Sequence, residues 1–496
     1  MNKPIRALSV FCLILFALLL ANATFLQYWQ SGDLTSLSEH PDNRRVRDEQ
    51  FSQERGAILV DGKAIAQSVP TKDGYDYQRV YPQARRYAAL TGYYTRDYGL
   101  GGIEATQNDI LSGSDPGLFV NRVIDLIGND DTKGGNVTLT VNPAAQKAAA
   151  DGLRALGANT KGAVVAIQPS TGKILAMATN PTYDPNALAT HDFTQAGKVK
   201  SRLEADDDGP LQNRAIEDVL PPGSTFKMVT SAAALGDRFT PTSKVPGGRS
   251  LDLPQTNLDL KNENGVSCGG DQITLTRALD VSCNVAFGWL GTKLGASKLR
   301  DQADKFGFGQ RYFTQLDDAL TRQAISRFPE QKDLAPPFEA YSAIGQYEVA
   351  ATPLQMAMVA AGIANNGKVM KPYLVDELQT PDLDTLRKTD PESLTDDALS
   401  PADAKALTEM MVSVVDNGTG TAAKIDGVEV AGKTGTAQSA SNRSPYAWFT
   451  SFAPATNSQV AVAVLVQDAG VQRDEISGNG LAAPIAKSVM QAVLKK

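Results

Sequence analysis

Histidine and cysteine are scarce in this chain of 496 residues. It contains two histidines, His40 and His191, and three cysteines. A three-histidine zinc site is therefore excluded, and the chain has no His-Glu-x-x-His helix. A nucleophilic enzyme with this composition needs a base other than histidine, unless one of these two lies beside the nucleophile.

Clustered positive charge is also lacking. Lysine and arginine total 48 against 55 aspartates and glutamates, giving a net charge of −7, which argues against a nucleic-acid partner. The 42% hydrophobic content is typical of a folded protein, and at roughly 100–200 residues per domain the length suggests two to four domains. No cofactor is indicated. The acidic run Asp206-Asp207-Asp208 invites a metal interpretation, but a solvated acidic loop is the favoured one.

One long apolar run lies near the N-terminus. Lys3 and Arg6 precede residues 7–29, which are long enough for a helix across a hydrocarbon core of ~30 Å. The positive flank places the N-terminus in the cytoplasm and the rest of the chain outside. Residues 21–23, Ala-Asn-Ala, also resemble a signal-peptide cleavage site, and a buried soluble helix is a third interpretation. The uncleaved anchor is favoured because apolar residues continue beyond Ala23.

The cysteines divide between these regions. Cys12 lies inside the apolar run, whereas Cys268 and Cys283 lie in the exported part. Two cysteines in an oxidising compartment are a candidate disulfide, and two separate thiols are the alternative.

The remaining chain predicts an α+β fold. Residues 30–50 resemble a linker, and residues 55–141 a β-containing module. A helix is predicted at 144–156 and a terminal helix at 487–494. Apolar β-rich runs form two predicted strand pairs, 163–167 with 174–178 and 447–453 with 460–466. Residues 379–400 resemble a solvated insertion. Strands at both ends of a region with helices between them predict one sheet covered by helices.

The segment Ser224-Thr225-Phe226-Lys227 carries a possible nucleophile and base. Pro221, Pro222 and Gly223 precede it, and an Ala-rich helix is predicted at 228–235. Lys227 would then lie one turn after Ser224 on the same face. A lysine made neutral by burial or by a second cation can deprotonate a serine, and the helix N-terminus favours a developing oxyanion. By itself the motif is weak, because chance matches are expected in a chain of this length, and an N-cap serine with a surface lysine is the favoured interpretation of this motif alone.

Two further motifs strengthen that interpretation. Ser282-Cys283-Asn284 places a hydroxyl and an amide two residues apart beside a predicted helix, although an ordinary polar turn would look the same. Lys433-Thr434-Gly435-Thr436 ends a predicted strand with a cation, two hydroxyls and a glycine that lets a ligand backbone approach. This combination suits a substrate carboxylate, and the alternative is a common basic strand end.

Together the three motifs resemble the signature of penicillin-binding proteins and class A β-lactamases. The chain resembles a class B penicillin-binding protein of the actinobacterial penicillin-binding protein A type from about Arg55 to its C-terminus. Supporting segments include Arg55-Gly56-Ala57-Ile58, Gly102-Ile103-Glu104 and Thr352-Pro353-Leu354-Gln355-Met356. Two departures are Cys283 in the middle of the second motif and Tyr347 after Gly345-Gln346, where many relatives have glycine.

The resemblance implies a role for each motif residue. Ser224 would be the acylated nucleophile, Lys227 its base, Ser282 the proton shuttle and Asn284 a ligand of the donor peptide. The substrate carboxylate would be bound at the third motif, by Lys433, Thr434, Gly435 and Thr436. The backbone N–H groups of Ser224 and Thr436 would form the oxyanion hole.

The implied architecture is an anchor at residues 1–30, a linker and β-rich pedestal at 31–141, and a serine β-lactamase/transpeptidase-like domain at 142–496. The implied activity is D,D-transpeptidation of peptidoglycan stem peptides, with release of D-Ala and transfer to an amine acceptor. Implied partners are β-lactams, the membrane and a glycan polymerase of the SEDS type. A D,D-carboxypeptidase of the same fold and a non-catalytic β-lactam sensor or scaffold are the alternatives.

Overall fold

The computed structural model describes residues 3–28, 48, 51–119, 128, 133–257, 259–319, 321–331, 333–437, 444–470, 473 and 476–495. Most of the predicted linker at 30–50, including His40, lies outside them. The first helix contains one segment, Arg6–Phe25, that is long and apolar enough to cross a membrane. The chain divides into two compact units, Met1–Gln53 with Pro70–Gln78, and Glu54–Val69 with Arg79–Lys496.

The strands of the described residues are β1 (Ile58–Val60), β2 (Lys63–Pro70), β3 (Tyr77–Val80), β4 (Asn136–Leu139), β5 (Lys161–Ile167), β6 (Ile174–Asn180), β7 (Lys244–Pro246), β8 (Ser250–Asp252), β9 (Asp259–Lys261), β10 (Gln272–Thr274), β11 (Val369–Met370), β12 (Val375–Gln379), β13 (Thr385–Lys388), β14 (Ser393–Thr395), β15 (Ala431–Ala437), β16 (Tyr446–Ala453) and β17 (Val460–Asp468).

The helices of the same residues are α1 (Lys3–Tyr28), α2 (Ala84–Thr91), α3 (Gly102–Thr106), α4 (Asn108–Leu111), α5 (Pro143–Ala155), α6 (Asn186–Ala189), α7 (Phe193–Glu204), α8 (Arg214–Glu217), α9 (Lys227–Asp237), α10 (Leu275–Asp280), α11 (Asn284–Lys305), α12 (Pro336–Ala343), α13 (Pro353–Ala364), α14 (Pro401–Asn417) and α15 (Ala483–Leu494). Gly295, with φ +78°, kinks α11.

The central sheet joins strands from two distant parts of the chain, residues 161–180 and residues 431–468. Its order is β15-β16-β17-β5-β6, and every pair is antiparallel. The predicted strand pairs, the early helix and the last helix are all confirmed within a few residues. The β5–β6 turn needs Gly172 at φ +85°, a conformation that glycine adopts without strain.

Both faces of this sheet are buried, which explains its nearly continuous apolar strands. Alternate residues of β17 serve the two cores: Val462 and Val464 pack on one side, and Ala463 and Leu465 on the other. Helices α5 and α15 cover the first face, while the buried helix α13 packs against β5, β16 and β17. Sheet and helices therefore form the predicted α+β layers.

Helix α13 begins at a sequence signal. Thr352 is its N-cap, and its hydroxyl accepts a hydrogen bond from the Gln355 N–H at 3.1 Å. Pro353 occupies the first turn, where no N–H donor is needed.

A second sheet has the order β13-β12-β4-β1-β2-β3 and combines the pedestal with a much later part of the chain. Strand β4 pairs parallel with β1 and antiparallel with β12. The interpretation of residues 379–400 as a plain solvated insertion is thus wrong in part. That segment is largely exposed, but it contributes β13 and β14 to ordered sheets. The predicted domain boundary near residue 142 stays a prediction.

The acidic run at 206–208 is a mostly exposed turn, as expected. The Asp208 carboxylate forms an ion pair with Lys161 at 3.1 Å, and the Asp208 backbone N–H donates to the Asp206 carboxylate at 2.9 Å. Among the described residues, no group of three or more potential ligands is arranged for a metal ion.

A buried charge cluster fills the interior of the pedestal. The Glu104 carboxylate is fully buried and receives Nε of Arg55 at 2.6 Å and Nε of Arg79 at 2.7 Å. The two arginines hold the pKa of Glu104 below its usual range, although burial alone would raise it. Removing one partner of such a cluster leaves an uncompensated buried charge, so these residues act together in fixing the pedestal.

Candidate active site

Ser224 lies on a 3-10 turn, Gly223–Phe226, that leads directly into α9. The turn is held in place by a hydrogen bond, in which the Gly223 N–H donates to the Gly345 carbonyl at 3.0 Å. A Cβ on Gly345 would lie 2.1 Å from the Gly223 carbonyl oxygen, so only glycine fits there. Ser224 itself remains partly exposed.

Lys227 is completely buried at the first position of α9. Its Nζ donates to the Ser282 carbonyl at 2.7 Å, the Asn284 Oδ1 at 2.8 Å and the Ser282 hydroxyl at 3.2 Å. Burial and then the nearby Lys433 ammonium hold the pKa of Lys227 well below the usual lysine value. A lysine in this environment is suited to act as a neutral base.

Ser282 occupies a backbone position that normally favours glycine. Helix α10 ends in a Schellman motif, in which Cys283 N–H donates to the Ala278 carbonyl at 2.8 Å and Ser282 N–H to the Leu279 carbonyl at 3.1 Å. Ser282 is the left-handed residue of this motif, with φ +57°. The strained conformation points to a role for its side chain beyond ending the helix.

Lys433 is hydrogen-bonded to the same hydroxyl. Its Nζ donates to the Ser282 Oγ at 2.9 Å and to the Thr434 carbonyl at 2.9 Å. Burial lowers the pKa of Lys433 to about 7, against the opposing effects of the Glu263 and Asp280 carboxylates. Ser282 is therefore a hydroxyl between two buried lysines.

Strand β15 is the edge strand of the central sheet and packs against the Ser224 turn. A Cβ on Gly435 would come within 3.0 Å of both the Pro222 carbonyl oxygen and the Thr225 methyl carbon. On the next strand, the Trp448 indole donates to the Pro221 carbonyl at 3.0 Å. These contacts set the Lys433-Thr434-Gly435-Thr436 segment beside the serine, with Thr436 partly exposed.

The end of β9 and the loop after it are joined at three points to the second motif and to the residue that follows the motif. Asn284 Nδ2 donates to the Lys261 carbonyl at 3.1 Å, and Val285 N–H donates to the Asn262 Oδ1 at 3.0 Å. The third tie is a Cys268–Cys283 disulfide, with the Cα atoms 5.9 Å apart. The loop holds Glu263, an exposed residue, within electrostatic reach of both lysines.

The structure brings all three predicted motifs together. Lys227, Ser282, Asn284 and Lys433 are linked by direct hydrogen bonds, and the turn carrying Ser224 packs on β15.

Three neighbours had no clear sequence signal: Glu263, Asp280 and Thr419. Thr419 follows α14, and its hydroxyl oxygen lies 2.6 Å from the Thr434 hydroxyl oxygen. In the sequence, only the two glycines that flank Thr419, in Gly418-Thr419-Gly420, could have suggested that another segment approaches the backbone closely here.

Comparisons with known proteins agree with this geometry. Residues 162–491 match the family model described as the penicillin binding protein transpeptidase domain, and residues 55–137 match the penicillin binding protein A dimerisation domain. The chain is 41% identical, over the full length of both proteins, to the peptidoglycan D,D-transpeptidase PbpA of Mycolicibacterium smegmatis. It is 40% identical to the PbpA of Mycobacterium tuberculosis, covering 100% of this chain and 99% of that one.

Solved structures give the same result. The imipenem acyl-enzyme complex of penicillin-binding protein A from M. tuberculosis superposes with a TM-score of 0.84 at 40% identity, covering 90% of this chain and 99% of that one. The fold of the described chain is thus the transpeptidase fold on a pedestal.

Proposed function

The chain belongs to the penicillin-binding protein family, and from this premise we propose that it is a peptidoglycan D,D-transpeptidase. The observation that carries the proposal is the continuous hydrogen-bonded path from Lys227 through Ser282 to Lys433 beside the Ser224 turn. Serine acyl transfer needs a nucleophile, a neutral base and a proton relay, and these residues supply all three.

In the acylation step, Ser224 Oγ attacks the carbonyl carbon of the penultimate D-Ala of a stem peptide. Lys227 takes the serine proton. As the peptide C–N bond breaks, Ser282 gives its proton to the leaving nitrogen and is reprotonated by Lys227, which becomes neutral again. D-Ala departs, and an ester remains on Ser224. The backbone N–H groups of Ser224 and Thr436 stabilise the oxyanion.

Substrate binding relies on the third motif. Lys433 and the hydroxyls of Thr434 and Thr436 receive the terminal carboxylate, while Gly435 lets the donor backbone lie along the edge strand β15. Asn284 binds the donor peptide amide. β-lactams enter the same site and acylate Ser224, because their strained amide and carboxylate mimic the donor terminus.

The second half-reaction decides between two activities. An amine of a neighbouring stem peptide attacks the ester in transpeptidation, whereas water attacks it in the alternative, D,D-carboxypeptidation. The mycobacterial PbpA relatives are peptidoglycan D,D-transpeptidases, which favours the transpeptidase. A non-catalytic sensor or scaffold is disfavoured because the key residues are all present: Ser224, Lys227, Ser282, Asn284 and Lys433.

The cellular setting belongs to the same proposal. We infer that α1 anchors the chain in the cell membrane, with a cytoplasmic N-terminus and an extracytoplasmic catalytic domain. The family models that match residues 55–137 and 162–491 describe a dimerisation domain and a transpeptidase domain, and we propose a SEDS-type membrane polymerase as the partner that supplies glycan strands.

The test is incubation of the full chain, in detergent, with a stem-peptide donor ending in D-Ala-D-Ala and an amine acceptor. The proposal expects cross-linked product and D-Ala release, and Ser224→Ala abolishes both together with the covalent penicillin adduct. Trimmed donor without cross-links would instead establish the carboxypeptidase. Label retained by Ser224→Ala would place the nucleophile elsewhere.

A further inference from the structure

Thr419 contacts the substrate-binding strand, although it belongs to none of the three motifs. Its hydroxyl oxygen lies 2.6 Å from that of Thr434, a distance that requires one hydroxyl to donate to the other. Thr434 is almost fully buried, whereas Thr419 is partly exposed.

The backbone of Thr419 is held independently of its side chain. Its N–H donates at 3.0 Å to the carbonyl of Asp280, the last residue of α10. A Cβ on the preceding Gly418 would lie 2.4 Å from that carbonyl oxygen, so the ends of α14 and α10 meet closely. The Thr419 side chain is therefore presented to β15 from a fixed position.

The direction of the hydroxyl pair matters for binding. A threonine hydroxyl carries one proton, and a carboxylate only accepts hydrogen bonds. If Thr434 donated its proton to Thr419, it would offer the incoming carboxylate a lone pair instead. If Thr419 donates to Thr434, the Thr434 proton is free for the carboxylate, and the chain of two hydrogen bonds polarises it further.

We propose that Thr419 is a positioning residue for carboxylate recognition, whose hydroxyl donates to Thr434 and so directs the Thr434 proton at the terminal carboxylate of the acyl donor. This inference rests on the proposed function, because it assigns Thr434 to that carboxylate. It extends the recognition site to the segment after α14. The ligand class is any acyl donor with a free carboxylate next to the scissile amide, whether peptide or β-lactam.

The experiment compares the second-order acylation rate constants of penicillin G and of its methyl ester, which lacks the carboxylate. Thr419→Val keeps the shape of the side chain and removes the hydroxyl. The ratio of the two rate constants should fall about tenfold, the effect of losing roughly one hydrogen bond. Thr419→Ser retains the donor and should restore most of the ratio. Thr408→Val, the same change within α14, is the matched control and should leave the ratio unaltered.

An equal loss for acid and ester would overturn the proposal, since a hydroxyl that only joins α14 to β15 would affect both compounds alike. An unchanged ratio would also overturn it. If Thr419→Val fails to fold, the ratio for Thr419→Ala in wild-type and Thr434→Val backgrounds decides. The proposal requires the Thr419 effect to vanish when Thr434 lacks its hydroxyl. Complete absence of penicillin acylation in the wild type would contradict the proposed function itself, which is a distinct result.

Discussion

The Ser282 hydroxyl oxygen lies 2.9 Å from the ammonium nitrogen of Lys433, and the same serine has a left-handed backbone conformation with φ +57°. A non-glycine residue pays about 1–2 kcal/mol for this conformation. Glycine would end α10 without this strain, so the serine hydroxyl is retained at a cost in stability.

A pair of substitutions separates the two properties of Ser282. Ser282→Gly and Ser282→Ala both remove the relay hydroxyl, and each should slow penicillin acylation by ~10²–10⁴-fold. Only the glycine variant also relieves the backbone, so it should unfold with a free energy about 1 kcal/mol higher than that of the alanine variant. Chemical denaturation and stopped-flow acylation measure these effects. Equal stability of the two variants would contradict the strain argument.

The pH dependence of acylation follows from Lys433. With a pKa of about 7 in the free protein, this lysine is charged below pH 7 and becomes neutral as the pH rises through that value. Lys227, whose pKa burial and the Lys433 charge hold well below the usual lysine value, needs to be neutral to act as base. We expect kcat/KM for penicillin G to decline above about pH 7, as carboxylate binding weakens. The methyl ester should not share this decline, and a common alkaline limb for both compounds would refute the assignment.

Substitution of Glu263 should shift the pH dependence of kcat/KM. Its carboxylate raises the pKa of both lysines, so Glu263→Gln should lower both values. The alkaline decline of kcat/KM for penicillin G should therefore move to lower pH. Glu409→Gln, an exposed change on α14, is the control and should leave the profile in place. A shift in the opposite direction would show that Glu263 does not act through its charge.

Gly345 supports the nucleophile turn by being small. Gly345→Ala would force a Cβ to within 2.1 Å of the Gly223 carbonyl oxygen, displacing the turn that carries Ser224. A misplacement of about 1 Å can cost ~10²-fold in rate. Gly427→Ala is the matched control. The φ of Gly427, +71°, is similar to that of Gly345, but no atom lies near the position that its Cβ would occupy. The control should lose about 1 kcal/mol of stability and keep its acylation rate, and equal rates in the two variants would reject the role of Gly345.

The Cys268–Cys283 disulfide closes a short loop with a sequence separation of 15. In the chain-entropy account, replacing both cysteines by serine should lower the free energy of unfolding by about 3 kcal/mol. Cys12→Ser, in the exposed face of α1, should have no such effect. Thiol titration of the denatured Cys12→Ser protein should detect no free thiol. Detection of two thiols would disprove the bond.

Much of the catalytic core could be predicted because its signals are local. The β5–β6 hairpin has apolar runs on both sides of a turn sequence, and α13 begins at a Thr-Pro cap. The motif residues were found because Ser224 and Lys227 are one turn apart and because three short motifs occur in a known order. That the three motifs lie in direct contact, however, was predicted from the family resemblance and not from their spacing in the sequence.

The remaining features depend on long-range packing. Strand β13 is largely exposed and has few large apolar residues, so only its pairing with β12 reveals it as a strand. Thr419 approaches Thr434 because two helix ends meet at Asp280, a contact between segments 139 residues apart in sequence, from Asp280 to Thr419. The depressed lysine pKa values likewise arise from burial, which periodicity alone does not report for a lysine.

The pedestal sheet has a consequence for protein engineering. Strand β12 comes from a part of the chain more than 230 residues after β4, yet it pairs with β4 and carries β13 on its other edge, so the pedestal sheet is built from two distant parts of the chain. A fragment cut at residue 142 would separate β4 from β12 and leave each of these strands with an unpaired edge. The pedestal therefore cannot be exchanged by replacing the N-terminal segment alone. A chimera with a foreign pedestal also needs to replace residues 375–388.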